Sequence, residues 1–219
     1  MANQLNHLAF IMDGNNRWSK KNSINIYDAY HAGAKNLIKQ SIYLFNATEL
    51  KYISAFALST DNLKRSKFIL TNIKNVLIEL LNNFDSYDLN FDLLFLGDFS
   101  FLEKQTIEKI QLINNKVNFK KKLIIYLNYG GREDIQSAAK NNLNSKDNKN
   151  FRFSLITKDL PDPDLLIRTG GYQRLSNFLL YQLAFTELFF LKKLWPDLKK
   201  NDLNKILSKY KNIERKFGK

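Results

Sequence analysis

The feature that most constrains this chain is a repeated alternation of two hydrophobic patterns. Short apolar runs, each bounded by polar or glycine-bearing turns, are followed by stretches with apolar residues three and four apart. The runs at 8–12, 52–58, 91–96, 123–127 and 165–167 predict buried strands, and 187–191 predicts a sixth. Between them, Ala34, Leu37, Ile38, Ile42 and Phe45 predict an amphipathic helix over 28–45. Ile69, Leu70, Ile73, Val76, Leu77, Leu80, Leu81 and Phe84 share one face of a second helix. Further helices are expected over 101–117, 132–142 and 202–216, and Ser176 is expected to cap a helix over 178–183. Residues 141–150 (NNLNSKDNKN) read as an exposed connecting loop.

Strand and helix in alternation give an α/β fold with a largely parallel sheet flanked by helices. The 219 residues fit a single domain over 1–219. In such sheets ligands bind beyond the carboxyl ends of the strands. The polar stretches DGNNR, STDN, NYGGR and RTGG all fall there, so Asp13, Arg17, Asn62, Arg65 and Arg168 are expected at one edge.

Composition narrows the chemistry. With no cysteine and two histidines, His7 and His31, the chain has no disulfide, thiolate or multi-histidine zinc site. The net charge of +13 comes from 27 lysines spread along the whole chain, so it marks no nucleic-acid surface by itself. No RRM, KH or helix-turn-helix signature is present, and nucleic acid is not an expected partner. The seven arginines are scarcer, and five lie in short polar or glycine-bearing stretches. Forked guanidinium donors, backbone N–H groups at glycine turns and a lone carboxylate, Asp13, suit a diphosphate with Mg²⁺. Arg174, Leu175 and Ser176 add a second phosphate seat. There is no GxxxxGK[ST] and no GxGxxG after a strand, which argues against a nucleotide. The N-terminal residues 1–6 are polar, and the apolar stretch 178–191 is too short to span a bilayer and carries Gln182 and Glu187. A cytoplasmic protein with peripheral membrane contact is expected.

Five segments together resemble a known family. HLAFIMDGNNRW (7–18), FALSTDNLKR (56–65), NYGGREDI (128–135), DLLIRTGGYQRLSNFLLYQLAFTELFF (164–190) and LWPD (194–197) are similar, in order, to the motifs of the cis-prenyltransferases. The pattern is nearest that of the bacterial undecaprenyl diphosphate synthases. The resemblance implies a six-stranded sheet with an apolar tunnel. It implies Mg²⁺-dependent condensation of isopentenyl diphosphate with an allylic diphosphate such as farnesyl diphosphate. The product would be a long cis-polyprenyl diphosphate, undecaprenyl diphosphate for the cell-wall lipid carrier, made by a homodimer. By the same resemblance Asp13 is the essential acid, and Asp13 and Glu187 hold Mg²⁺. Gly14, Asn15, Asn16 and Arg17 cradle the allylic diphosphate, with His31 near it, and Trp18 belongs to the substrate site. Ser59, Thr60, Asp61, Leu63, Arg65 and Leu175 belong to the substrate site, and Arg168, Arg174 and Ser176 hold the isopentenyl diphosphate. Asn62 matches a residue assigned as proton acceptor; a neutral amide is a poor base, so it is read as orienting substrate while diphosphate or water takes the proton. Trp195 is read as packing.

The chain departs from the pattern at several positions. Asn16 replaces glycine, Asp61 replaces glutamate, Leu63 replaces tryptophan and Tyr172 stands where many relatives have glutamate. The stretch INIYDAYH that ends at His31 has no arginine, where the family pattern reads R-x-x-G-H. A catalytically weak accessory or scaffold protein of the same fold is therefore the competing expectation.

Overall fold

A computed structural model describes residues 4–64, 67–83, 87–144 and 151–214. The strands are β1 (His7–Ile11), β2 (Tyr52–Phe56), β3 (Asp92–Gly97), β4 (Lys122–Leu127), β5 (Leu165–Arg168) and β6 (Glu187–Phe190). They form one sheet in the order β3-β4-β2-β1-β5-β6, and every pairing is parallel. The helices are α1 (Asn15–Asn22), α2 (Ile26–Ala47), α3 (Lys67–Asn82), α4 (Lys104–Asn114), α5 (Gly131–Asn144) and α6 (Lys200–Lys211).

The two-residue period of the strands divides the core into two layers. Leu8, Phe10, Ile53, Leu93, Phe95, Leu123 and Ile125 pack toward the layer that contains Leu37, Leu44, Leu80 and Ile206. Ala9, Ile11, Ile124 and Tyr126 point the other way, against Leu160, Phe178, Leu179 and Leu183. Both faces are covered, which is why the strands read as continuous apolar runs. Register fixes the edge that matters: Ile11 lies beside both Phe56 and Arg168. Asp13 therefore leaves the sheet level with the carboxyl ends of β2 and β5.

Three parts depart from the sequence reading. Residues 15–22 form α1 rather than a bare turn; the helix has no apolar stripe to announce it, and Gly14 enters it at φ 118°. Residues 178–183 form turns, not a helix. Ser176 and Asn177 are left-handed, with φ of 51° and 64°. Asn177 is held there by tertiary bonds: its side chain accepts from the Arg132 N–H at 2.9 Å and donates to Glu133. Residues 141–144 extend α5 and are not loop, while Phe84, residues 145–150 and Arg215 lie outside the described residues.

His7 is 1% exposed. Nδ1 lies 2.7 Å from the Pro161 carbonyl and Nε2 2.8 Å from Ser54 Oγ. A neutral ring donates to the first and accepts from the second. Burial pulls its pKa down from 6.5 to about 4. The unfolded chain therefore binds this proton first, and the ring's contribution is complete above pH 6.5 and lost as pH falls toward 4. Wild type should lose about 2 kcal/mol more than His7→Gln between pH 7 and pH 5. Urea unfolding of both proteins at the two pH values measures it, and equal losses would contradict this assignment.

Candidate active site

Asp13 sits at the centre of the edge defined above, and its backbone is pinned by distant residues. Its carbonyl accepts from Thr169 Oγ1 at 2.8 Å and from the Trp195 N–H at 3.1 Å. Trp195 is fully buried, edge-on to Phe10, and its indole N–H donates to the Gly33 carbonyl at 2.8 Å. Sheet, α2 and the 195–197 turn thus converge on one peptide unit.

The carboxylate of Asp13 is shared. Arg17 Nη2 donates to Oδ1 at 3.1 Å, and Arg168 Nη2 donates to Oδ2 at 2.9 Å. Arg168 is 3% exposed. Its Nη1 donates to Ser176 Oγ at 2.8 Å and to the Arg174 carbonyl, while its Nε has no partner. Two guanidinium groups share this one carboxylate, which leaves positive charge for a further anion. Gly170 makes the arrangement possible. It adopts φ +88°, and a Cβ there would lie 2.5 Å from Arg17 Nη2 and 2.9 Å from Asp13 Cγ.

These groups border a cavity of about 780 Å³. Asp13, Gly14, Asn15, Asn16, Arg17, Ser59, Asp61, Arg168, Arg174 and Ser176 all line it. The amides of Asn15, Asn16 and Arg17 precede the first helical bond of α1, donated by the Trp18 N–H to Gly14 at 2.8 Å. They form the positive end of a helix at the cavity wall. The opposite wall is apolar, with Ile11, Phe56, Ala57, Ile69 and Ile73. It continues into a space of about 100 Å³ between α2, α3 and the sheet, bordered by Ala34, Leu37, Val76, Leu80, Ile125 and Trp195. One cavity thus joins an anion seat to the mouth of an apolar slot, a form suited to an amphiphile with a phosphorylated head.

Other expected residues lie elsewhere. His31 stacks on Tyr27 and meets Glu79 at 3.1 Å, joining α2 to α3. Its partner is therefore a carboxylate and not the cavity. The Tyr27 hydroxyl also donates to Glu79, whose pKa it holds below the usual carboxylate range. Trp18 donates its indole N–H to Asp197 at 2.8 Å and serves the 195–197 turn. Thr60 faces Glu133 and a second cleft at the ends of β3 and β4, and Leu175 borders the space beside Arg132. Leu63 packs on the core. Glu187 opens β6 beside Leu165, which lies beside Leu8, so it stands at the opposite ends of the strands from Asp13. Within one chain these two carboxylates do not face one ion. Arg65 lies outside the described residues, as does the side chain of Asn62. The sequence reading did not identify Thr169, the pin of Asp13, or Tyr30, Ile69 and Ile73 as wall residues.

No cluster of three histidine or acidic side chains occurs among the described residues. A divalent ion here would rest on Asp13 and complete its shell from a substrate's phosphate oxygens and water. That is the habit of Mg²⁺ rather than of a protein-caged metal, and the residues fit it.

Comparison with known proteins agrees with this fold. The Prenyltransf family model, that of undecaprenyl diphosphate synthase, matches residues 11–218. An isoprenyl transferase of Thermotoga maritima is 36% identical over 97% of this chain and 96% of its own. The crystal structure of lavandulyl diphosphate synthase from Lavandula x intermedia, in complex with dimethylallyl diphosphate, superposes with a TM-score of 0.86 at 30% identity, covering 99% of both chains. That of a "probable undecaprenyl diphosphate synthase" from Campylobacter jejuni gives 0.76 at 33% identity, over 99% of this chain and 100% of its own.

Gly170→Ala should fold with a Tm lowered by several degrees, since a left-handed alanine costs about 1–2 kcal/mol and its methyl group displaces Arg17. Calorimetric melting checks it; an unchanged Tm would contradict the close approach described.

Proposed function

This chain belongs to the undecaprenyl diphosphate synthase family of prenyl transferases, and from that premise we propose that it condenses isopentenyl diphosphate with an allylic diphosphate, farnesyl diphosphate, in cis and with Mg²⁺. The product on this reading is a long polyprenyl diphosphate, undecaprenyl diphosphate destined for the cell-wall lipid carrier. The observation that carries the reading is the junction of the Asp13–Arg17–Arg168 cluster with an apolar slot in one cavity.

The chemistry asks for charge stabilisation and alignment. The allylic C–O bond breaks, and its electron pair leaves with the diphosphate. Arg17 and the first amides of α1 meet the charge that develops there. The double bond of isopentenyl diphosphate forms the new C–C bond, and a proton is then lost to diphosphate or water. Arg168, Arg174 and Ser176 hold the second head group, and alignment of the two substrates supplies much of the acceleration. Mg²⁺, when bound at Asp13, would neutralise the leaving diphosphate. Asn62 and Arg65 belong to this reading by their motif alone.

The apolar slot is the path for the growing tail. Its volume of about 100 Å³ is small beside a polyprenyl tail. A long product therefore requires α2 and α3 to separate as it lengthens. Homodimerisation is proposed along the β6 edge, where Phe185 and Leu188 are 68% and 42% exposed. Among the described residues no helix is long and apolar enough to cross a membrane. A cytoplasmic enzyme touching the bilayer only to release product fits this proposal.

Incorporation of labelled isopentenyl diphosphate, primed by farnesyl diphosphate and Mg²⁺, tests the reading. Polymer should form with wild type, vanish with chelator, and fall about 100-fold or more in Asp13→Ala. A folded wild type that makes no product from any allylic starter would favour the accessory-protein alternative. Ala34→Phe should fill the slot and shorten the products seen on reversed-phase chromatography; an unchanged length distribution would place the tail elsewhere.

A further inference from the structure

The arginines around the cavity outnumber the carboxylates. Arg17, Arg168 and Arg174 line it together with Asp13 and Asp61. Asp13 is taken up by Arg17 and Arg168, and Arg174 has no carboxylate partner among the described residues. Three guanidinium groups this close repel one another, and an exposed arginine so placed would ordinarily turn into solvent. What they share instead is an aromatic ring. The Tyr172 ring centroid lies 4.2 Å from Arg174 Cζ, 4.9 Å from Arg17 Cζ and 5.8 Å from Arg168 Cζ.

The position of the ring is built into the fold. Gly170 and Gly171 are both left-handed, and their N–H groups donate to Lys193 and Leu191, each at 2.8 Å. That double tie fixes the turn and carries Tyr172 over the cavity. An aromatic face attracts cations without neutralising them. A carboxylate in its place would add a negative charge beside the seat, which the ring does not.

We propose that Tyr172 is a positioning residue, whose ring holds Arg168 and Arg174 at the seat of the second head group, with Arg17 at the border of the first, and so sets the affinity of the site for diphosphate. The inference rests on the reading of this cavity as a diphosphate site. The ring acts on binding rather than on bond breaking, because it touches the arginines and not the reacting carbons.

Calorimetric titration with inorganic diphosphate, in chelator to remove divalent ions, tests it without recourse to turnover. Wild type, Tyr172→Phe, Tyr172→Ala and Tyr172→Glu are compared, with melting curves as folding controls. Tyr172 is 44% exposed, so all four are expected to fold. Phe should bind within about twofold of wild type, Ala about tenfold more weakly, and Glu more weakly still. In steady-state assays the Ala variant should lose on the KM for isopentenyl diphosphate far more than on kcat, and Phe should rescue it. Equal binding by wild type and Ala would overturn the proposal, as would a Phe variant as weak as Ala, which would assign the effect to the hydroxyl. Failure of wild type itself to bind diphosphate would overturn the underlying reading of the cavity, and this proposal with it.

Discussion

The shared carboxylate of Asp13 is the interaction on which the site depends. It holds Arg17 from α1 and Arg168 from β5 at once, so a helix and a strand meet at one side chain, 155 residues from Arg168 in sequence. Its backbone is no less constrained, because Thr169 and Trp195 both bond its carbonyl. The left-handed Gly14 and Gly170 are what allow the chain to come this close. The backbone of the anion seat is therefore fixed before any ligand arrives, while the Asp13 carboxylate holds the two arginines in place until a ligand takes them over.

Charge and greasiness are divided cleanly across the cavity. Arginine is used where geometry matters, against a background of lysine spread over the chain. The polar wall comes from the carboxyl ends of β1 and β5 and the start of α1. The apolar wall comes from β2 and α3 and leads inward between α2 and α3. His31 and Tyr27, bonded to Glu79, close the two helices together outside that slot. A tail lengthening inside it works against this polar contact.

Much of this was legible in the sequence because it depends on period and turn chemistry. The strands appeared as apolar runs since both sheet faces are buried, and Asp13, Arg17 and Arg168 followed from where those runs end. What stayed hidden depends on contacts distant in sequence. Polar α1 has no stripe, and only the left-handed Gly14 and the burial of Ser19 mark it as a packed helix. Ser176 looked like a helix cap, yet Asn177 bonds to the start of α5 and holds the segment in turns. His31 looked poised for a head group, yet Glu79, 48 residues on, takes it. Thr169 carried no signal beyond its place in a glycine turn. Tyr172 was visible as a departure from a motif, and only its distances to three arginines give that departure a meaning.

The most direct measurement is a crystal structure with Mg²⁺ and a farnesyl diphosphate analogue whose bridging oxygen is sulfur. The account predicts a diphosphate against Arg17 and the first amides of α1, with Asp13 turned from its arginines to the ion and the tail between α2 and α3. A head group in the cleft bounded by Asp98, Glu133 and Asp134, or a tail lying outside the α2–α3 slot, would contradict it.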